Sequence, residues 1–202
     1  MKNKTKFFLL TFIIISFFAS SCKKENKNTE PKFTFPLVFQ DTIAKDIPDG
    51  NYGQITSEIE IPIIATVKDP SKVTIELELE HDWCSDIVVE LFSPSGISGG
   101  ALIRRLAAGA VEDYSDFKKG QFFRFTSGNT IPIDVTPAIL IGGDYAPSQG
   151  GLTNPAIPLC NLNTYLNNTA VKGIWKIKVY DYAVFYTGRL LSWKVIFNEG
   201  AF

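Results

Sequence analysis

The chain has 202 residues, of which 45% are hydrophobic, and its 20 basic and 21 acidic side chains leave a formal net charge of −1. Because the charges are balanced and no long run of one sign follows the N-terminal segment, the sequence lacks the basic footprint of a nucleic-acid-binding protein. The length that remains after that segment suits one domain, which is large enough to bury a core of its own.

The first 22 residues have the pattern of a signal peptide. Lys2, Lys4 and Lys6 precede the apolar stretch FFLLTFIIISFFA, which is shorter than the roughly 17–25 residues that span a membrane. Small residues then lead to Cys22 in the sequence ASSC, which resembles a bacterial lipobox, whose cysteine becomes lipidated. The alternatives are an ordinary secretory signal and an N-terminal anchor helix. The resemblance implies an envelope protein held on its membrane by lipid at Cys22.

The residues after Cys22 are polar and are rich in Lys, Asn and Glu, as in KKENKNTEPK. Such a stretch has little apolar surface to bury, so residues 23–36 are predicted to be a flexible tether to a domain at 37–202. Lys23 is not the Asp that favours inner-membrane retention in well-studied lipoproteins. We therefore expect a lipoprotein of the outer membrane, and exposure at the cell surface is one form that this location can take.

Short segments of alternating apolar and polar residues, separated by Gly, Pro, Asn and Asp, fill the domain. In KVTIELELEH the apolar residues alternate with Thr and Glu, so His81 should point with the apolar set. RLLSWKVIF should place Leu191, Trp193, Val195 and Phe197 on one face. Further strands are predicted in PLVFQ and ITSEIEIP, both at edges, and in DIVVELFS, ALIRRL, QFFRFTS, TIPIDV and GIWKIKVYD.

About eight or nine such strands predict an all-β sandwich or barrel. Residues 142–165 are rich in Gly, Pro and Asn and read as one long loop. A loop of that length inside a compact domain is usually functional or is packed by its own side chains.

Three motifs, in chain order, resemble the P domain (P/Homo B domain) of proprotein convertases. IPDGNYGQITSEIEI resembles the family's start into its first strand, and HDWCSDIVVELFSPSG is similar to H-x-x-x-x-D-L-x-V-x-L-x-S-P-S-G. KGIWKIKVYDYAVFYTGRLLSWKVIF resembles the closing strand pair, approximately G-x-W-x-L-x-V-x-D, a short loop and T-G-x-L-x-x-W-x-L. The matches extend over nearly the whole domain, and they imply a jelly-roll β-sandwich of the galactose-binding-domain-like kind.

The same resemblance bears on function. In that family the module usually follows a subtilisin-like serine protease domain, which it stabilises, and it does not carry the catalytic triad. The residues before Ile47 are too few for a protease domain, and His81, the single histidine, has no recognisable nucleophile setting beside it. We therefore expect His81 to be structural and the protein to be non-catalytic. It would bind a protein or glycan, or support a separately encoded serine protease.

Two alternatives to that expectation remain. One is serine-type endopeptidase activity, either inherited by family membership or carried by a hydrolase site in the long loops. The other is a carbohydrate-binding module, which the fold superfamily suggests.

Calcium is the one cofactor that the resemblance suggests. In bacterial members of the family, acidic loop residues at one end of the sandwich can hold this ion, which takes about 6–8 oxygen ligands. Asp86 and Asp181 match family Asp positions, and Asp49 is a third candidate. However, Tyr186 stands where the family often has a further Asp. The alternative is that the three carboxylates accept backbone N–H bonds in turns.

Cys84 and Cys160 are the cysteines left after lipidation. Outside the cytoplasm an even pair predicts a disulfide, and this one would attach the long loop to the sandwich. Two unbonded thiols are the alternative.

Aromatic residues are concentrated near the predicted turn between the last two strands. Aromatic side chains on a loop beside a β-sandwich can stack on sugars or anchor a protein partner. The candidates for this binding role are Tyr180, Tyr182, Phe185 and Tyr186. Ordinary packing within the loop is the alternative.

Overall fold

Ten strands form two sheets in the computed structural model, which describes residues 32–50, 53–106, 116–135, 140–151 and 156–202. The predicted signal peptide, Cys22 and the tether up to residue 31 lie outside these ranges. The strands are β1 (Leu37–Asp41), β2 (Lys45–Ile47), β3 (Gly53–Ile61), β4 (Val73–His81), β5 (Ile87–Phe92), β6 (Ser98–Arg104), β7 (Phe122–Phe125), β8 (Gly143–Tyr145), β9 (Gly173–Asp181) and β10 (Gly188–Phe197). One short helix, α1, covers Leu162–Leu166. Within the described ranges, no helix has the length and apolar character of a membrane span.

The two sheets pack face to face as a sandwich. The first sheet has the order β1-β10-β4-β7-β8, with β2 also pairing with β10, and the second has the order β3-β9-β5-β6. Their pairs are antiparallel except for β7 with β8. Both predicted edge strands lie at edges. The all-β sandwich is thus confirmed, whereas its jelly-roll type stays a prediction.

The core lies between the sheets and follows the alternation of the sequence. The inward side chains of β4 and β9 are fully buried, and Trp175 and Trp193 are the largest of the buried side chains. On the outer side of β4, Glu76 is also buried, because Arg124 Nε donates to it at 2.7 Å and Lys194 Nζ at 2.6 Å. Ion pairing therefore covers a face that the sequence pattern presents as polar.

Three local predictions need correction. A β-bulge between Leu190 and Ser192 shifts the register of β10, so Leu190 joins the core in place of Leu191. The segment TIPIDV does not form a strand: it makes an isolated bridge at Pro132 and then a 3-10 turn over Ile133–Val135. The predicted loop at 142–165 contains β8 and α1. In each case contacts with a neighbouring strand or segment override the local pattern.

The compact unit begins at Phe33, inside the segment that the sequence assigns to the tether. The rings of Phe33 and Phe35 lie 5.5 and 5.7 Å from the ring of Phe202. Burying aromatic surface against Phe202 favours the packing of Phe33 and Phe35 on the sandwich.

Cys84 and Cys160 are both buried, and no disulfide joins them. Cys84 Sγ lies 3.8 Å from the carbonyl oxygen of Leu106, whereas the backbone N–H of Cys160 donates to the carbonyl of Ala101. Ala101 and Leu106 are five residues apart, roughly 16 Å in an extended chain. A disulfide needs Cα atoms about 4.4–6.8 Å apart. The two thiols are therefore apart in this structure, because Cys160 lies beside Ala101 in β6 whereas Cys84 lies beside Leu106, which follows that strand.

Candidate functional site

Three chain connections meet at one end of the sandwich, which we call the loop end. They join β2 to β3, β4 to β5, and β9 to β10. Strand register brings them together: Asp181 pairs with Gly53 on one side and with Ile87 on the other, and Gly188 pairs with His81. The predicted calcium residues Asp49, Asp86 and Asp181 and the aromatic residues of the β9–β10 connection all lie in or beside these connections.

The centre of the loop end is a buried histidine–aspartate pair. His81 Nε2 lies 3.2 Å from Asp181 Oδ2, and neither side chain is exposed to solvent. The other ring nitrogen, Nδ1, lies 3.0 Å from the backbone nitrogen of Trp83 and 2.8 Å from its carbonyl oxygen. In the tautomer with the proton on Nε2, that nitrogen donates to Asp181 and the Trp83 N–H donates to Nδ1. Both nitrogens of the imidazole are therefore engaged inside the protein.

The burial of His81 and the partners of its ring are those that the sequence predicts for a structural histidine. A general base must lie within hydrogen-bond reach of the proton that it removes from a substrate or nucleophile. The imidazole of His81 is enclosed, and Gly188 packs against it so closely that an added Cβ would lie 2.3 Å from His81 Cδ2. The pair therefore fixes the β4 and β10 ends against β9, and no substrate can approach the ring.

Two of the three carboxylates at the loop end accept backbone hydrogen bonds, as the alternative to calcium predicts. Asp181 Oδ1 accepts from the Ala183 N–H at 3.0 Å, and Asp49 Oδ2 accepts from the Phe185 N–H at 3.3 Å. Asp86 is buried, and its backbone carbonyl accepts from the Tyr182 N–H at 2.9 Å. These bonds hold the β9–β10 connection onto its neighbours.

The three carboxylates do not fit a calcium ion as they stand. Both oxygens of Asp181 already have partners, and among the described residues no three His, Cys, Asp or Glu side chains come together as a metal site. Calcium needs about 6–8 oxygen ligands, and the buried Asp181 carboxylate is already engaged by His81 and by the Ala183 N–H.

We expect the melting temperature to be the same in excess calcium and in EGTA, measured by differential scanning fluorimetry on the processed chain. Anything that binds the folded state alone raises the melting temperature. An increase in calcium that EGTA reverses would restore the predicted ion.

The exposed feature of the loop end is the connection between β9 and β10, residues 182–187, which we call the aromatic loop. Val184 is 44% exposed, Phe185 86% and Tyr186 39%. The ring of Tyr186 stacks on Trp83, with centroids 5.2 Å apart and planes 13° from parallel. Phe185 has a φ of 93°, a region that bulky side chains rarely occupy. The loop thus exposes the apolar side chain of Phe185 to water on a strained backbone.

The four predicted aromatic residues separate into two pairs. Phe185 and Tyr186 lie at the exposed loop, whereas Tyr180 and Tyr182 are half-buried. Tyr180 lies on the outer face of the second sheet, where its hydroxyl donates to Glu90 Oε2 at 2.8 Å. Burial, reinforced by Glu90, raises the pKa of Tyr180. Tyr180 and Tyr182 therefore pack against their neighbours, which is the alternative that the sequence leaves open, and the binding role of all four stays a prediction.

Three features of the site were missed in the sequence. Trp83 lies within the HDWC stretch, but its stacking on Tyr186 joins residues more than a hundred positions apart and has no local signal. Val184 is exposed as well, but the sequence around it drew attention only to the aromatic residues. Phe185 has a positive φ although it is neither Gly nor Asn, the residues that usually adopt this conformation.

Comparisons with known proteins do not assign a family to the chain. No family model matches it, and no curated protein matches it. A crystal structure of a serine protease of Aeromonas sobria matches with a TM-score of 0.42 and 15% identity, over 82% of this chain and 28% of the protease chain. A crystal structure of the Aeromonas sobria serine protease in complex with its chaperone matches with a TM-score of 0.38 and 16% identity, over 81% of this chain and 28% of that one. The chain thus spans less than a third of those chains, and its resemblance to the P domain stays a prediction.

Proposed function

We propose that the protein is a non-catalytic binding module, a P-domain-like β-sandwich whose aromatic loop contacts a partner molecule. The observation that carries the proposal is the exposure of Phe185 on a backbone with positive φ. A conformation of this kind costs of the order of 1–3 kcal/mol and persists only where the surroundings enforce it. Such strain is concentrated at binding and catalytic sites.

The surroundings of the aromatic loop enforce its shape. Asp49 accepts the N–H of Phe185, Asp181 accepts the N–H of Ala183, and Trp83 stacks on Tyr186. A loop already held in one conformation loses little entropy when a partner binds it. Covering an exposed Phe side chain gains about 1.5–3 kcal/mol of hydrophobic free energy, so the loop is suited to act as an anchor.

The loop end does not present an accessible histidine base among the described residues. His81 is the single histidine of the chain, and its ring is enclosed with both nitrogens engaged. A hydrolase of the serine type needs a base that can take a proton from its nucleophile. The proposal therefore assigns the loop end to recognition, and an accessory role beside a separately encoded serine protease is one form that this recognition can take.

Attachment to the outer membrane through lipid on Cys22 is part of the proposal. It is supported by the sequence alone, namely the basic start, the apolar stretch and the small residues before the cysteine.

Carbohydrate binding is a second candidate, favoured by a different observation. A cavity of about 280 Å³ is lined by neutral polar side chains such as Thr126, Asn129, Ser148, Gln149 and Asn161. Amide and hydroxyl groups suit the neutral hydroxyls of a sugar. A glycan array on the purified protein tests this candidate.

The proposed function can be tested in intact cells by placing the photo-reactive residue benzoylphenylalanine at position 185. Position 199, which is exposed at the other end of β10, serves as the control. We expect a crosslinked adduct from position 185 that purified wild-type protein competes away and the Phe185→Ser variant does not. Equal adducts from both positions would contradict the proposal. Labelling by a fluorophosphonate probe that is lost on denaturation would favour an enzyme instead.

A further inference from the structure

We infer that the partner of the aromatic loop is a protein segment that carries a lysine or arginine close to an apolar side chain. This inference rests on the proposed function and adds the chemical class of the partner. The apolar contact follows from Val184, Phe185 and Tyr186, three consecutive side chains that are at least 39% exposed. The basic side chain follows from the surface beside them.

A groove of about 400 Å³ adjoins the aromatic loop, and carboxylates are prominent in its lining. Asp46, Glu80 and Asp82 line it together with one basic residue, Arg189. Arg189 Nε already donates to Asp46 Oδ1 at 2.8 Å. Glu80 and Asp82 take part in no ion pair within the part of the chain that the structure describes. Because one arginine faces three carboxylates, a basic side chain of a partner would be attracted here.

The groove and the aromatic loop are continuous along the chain. Thr187 and Gly188 line the groove and directly follow Phe185 and Tyr186. Arg189, which lies across from Glu80 in the pairing of β10 with β4, is four residues from Phe185. At roughly 3.3 Å per extended residue, Phe185 and Arg189 are at most about 13 Å apart, and Glu80 lies one strand spacing, about 4.8 Å, from Arg189. One extended partner segment can therefore reach both with an apolar and a basic residue two to four positions apart.

The same charges argue against two other classes of partner. An anionic membrane surface would bring lipid head groups towards three carboxylates and would be repelled. A neutral glycan would leave the carboxylates without partners, and Trp83 already covers one face of the Tyr186 ring on which a sugar could stack. A protein segment that carries an apolar and a basic side chain can contact the aromatic loop and the acidic groove together.

The test is selection of a random peptide library, displayed on phage, against the purified processed chain. We expect the recovered peptides to combine an aromatic or aliphatic residue with Lys or Arg at the spacing given above. Their affinity should fall about tenfold on Phe185→Ser, as for an anchoring side chain. It should fall roughly threefold to fivefold on the double variant Glu80→Gln, Asp82→Asn, as expected for exposed ion pairs.

The matched control is Ile64→Ser, which removes another exposed apolar side chain, 81% exposed and outside the aromatic loop. It should leave the affinity unchanged. Peptides without basic residues whose capture still needs Phe185 would overturn the inference and leave the binding module intact. If no peptide, vesicle or glycan binds in a way that depends on Phe185, both proposals fall. Binding to phosphatidylglycerol vesicles or to a glycan array that needs Phe185 would assign the loop to those classes and overturn the protein partner.

Discussion

Replacing Asp181 with alanine is expected to lower the free energy of unfolding by about 2–6 kcal/mol, because it leaves two hydrogen-bond donors without an acceptor at about 1–3 kcal/mol each. The carboxylate has no solvent exposure, and it bonds both His81 Nε2 and the Ala183 N–H. The variant would leave two buried groups without a partner and would release the start of the aromatic loop. Denaturant titration of the processed chain, followed by tryptophan fluorescence, measures the loss.

Two further variants make this expectation specific. Asp181→Asn keeps an oxygen acceptor of the same size, so it should recover part of the loss. Asp82→Ala removes an exposed carboxylate one residue after His81 and should change the stability by no more than about 0.5 kcal/mol, as is usual at the surface. A loss below about 1 kcal/mol for Asp181→Ala would show that the His81–Asp181 pair does not hold the loop end together.

A single methyl group at position 188 is expected to be nearly as harmful. In Gly188→Ala the new Cβ would lie 2.3 Å from His81 Cδ2 and 2.4 Å from the carbonyl oxygen of Glu80. Neither neighbour can move easily, because the His81 ring is held at both nitrogens and the Glu80 oxygen is backbone. The ends of β4 and β10 would have to separate. We expect a loss of about 3 kcal/mol, the upper end of the cost of overpacking.

Gly128→Ala is the matched control for that variant. There the nearest atom to the added Cβ is 3.7 Å away, an ordinary contact. This variant should unfold within about 0.5 kcal/mol of the wild type. If Gly188→Ala is as stable as Gly128→Ala, then the close approach of Gly188 to His81 does not exist in solution.

Much of the fold was predictable because side chains alternate in long central strands. In β4 the apolar positions and His81 are all buried, as the period of two predicts. The pattern failed where pairing, not local sequence, decides: the bulge after Leu190 shifts the buried face, and β2 and β8 exist only through their neighbours β10 and β7. The TIPIDV segment alternates but has a proline at position 132, which limits its pairing to one bridge.

The candidate site was predictable in position but not in its chemistry. The motifs that resemble the P domain bring Asp49, Asp86 and Asp181 to one end of the sandwich, where the structure also has them. What each carboxylate contacts depends on distances between remote segments, and His81 and Asp181 are 100 residues apart. The conformation of Phe185 has no signal at all, because its sequence contains neither Gly nor Asn at that point.

The length of β10 separates the start of the sandwich at Phe33 from the aromatic loop. This strand begins next to the aromatic loop and ends at Phe197, whose ring lies 5.6 Å from Phe202, and Phe202 in turn contacts Phe33. Ten residues of strand place the aromatic loop and the Phe33 end of the sandwich roughly 30 Å apart. If Cys22 carries the proposed lipid, a pull along the chain would enter the sandwich at the Phe33 end. On the proposed function, a partner would then bind and leave the aromatic loop at the opposite end of β10 without disturbing the proposed attachment.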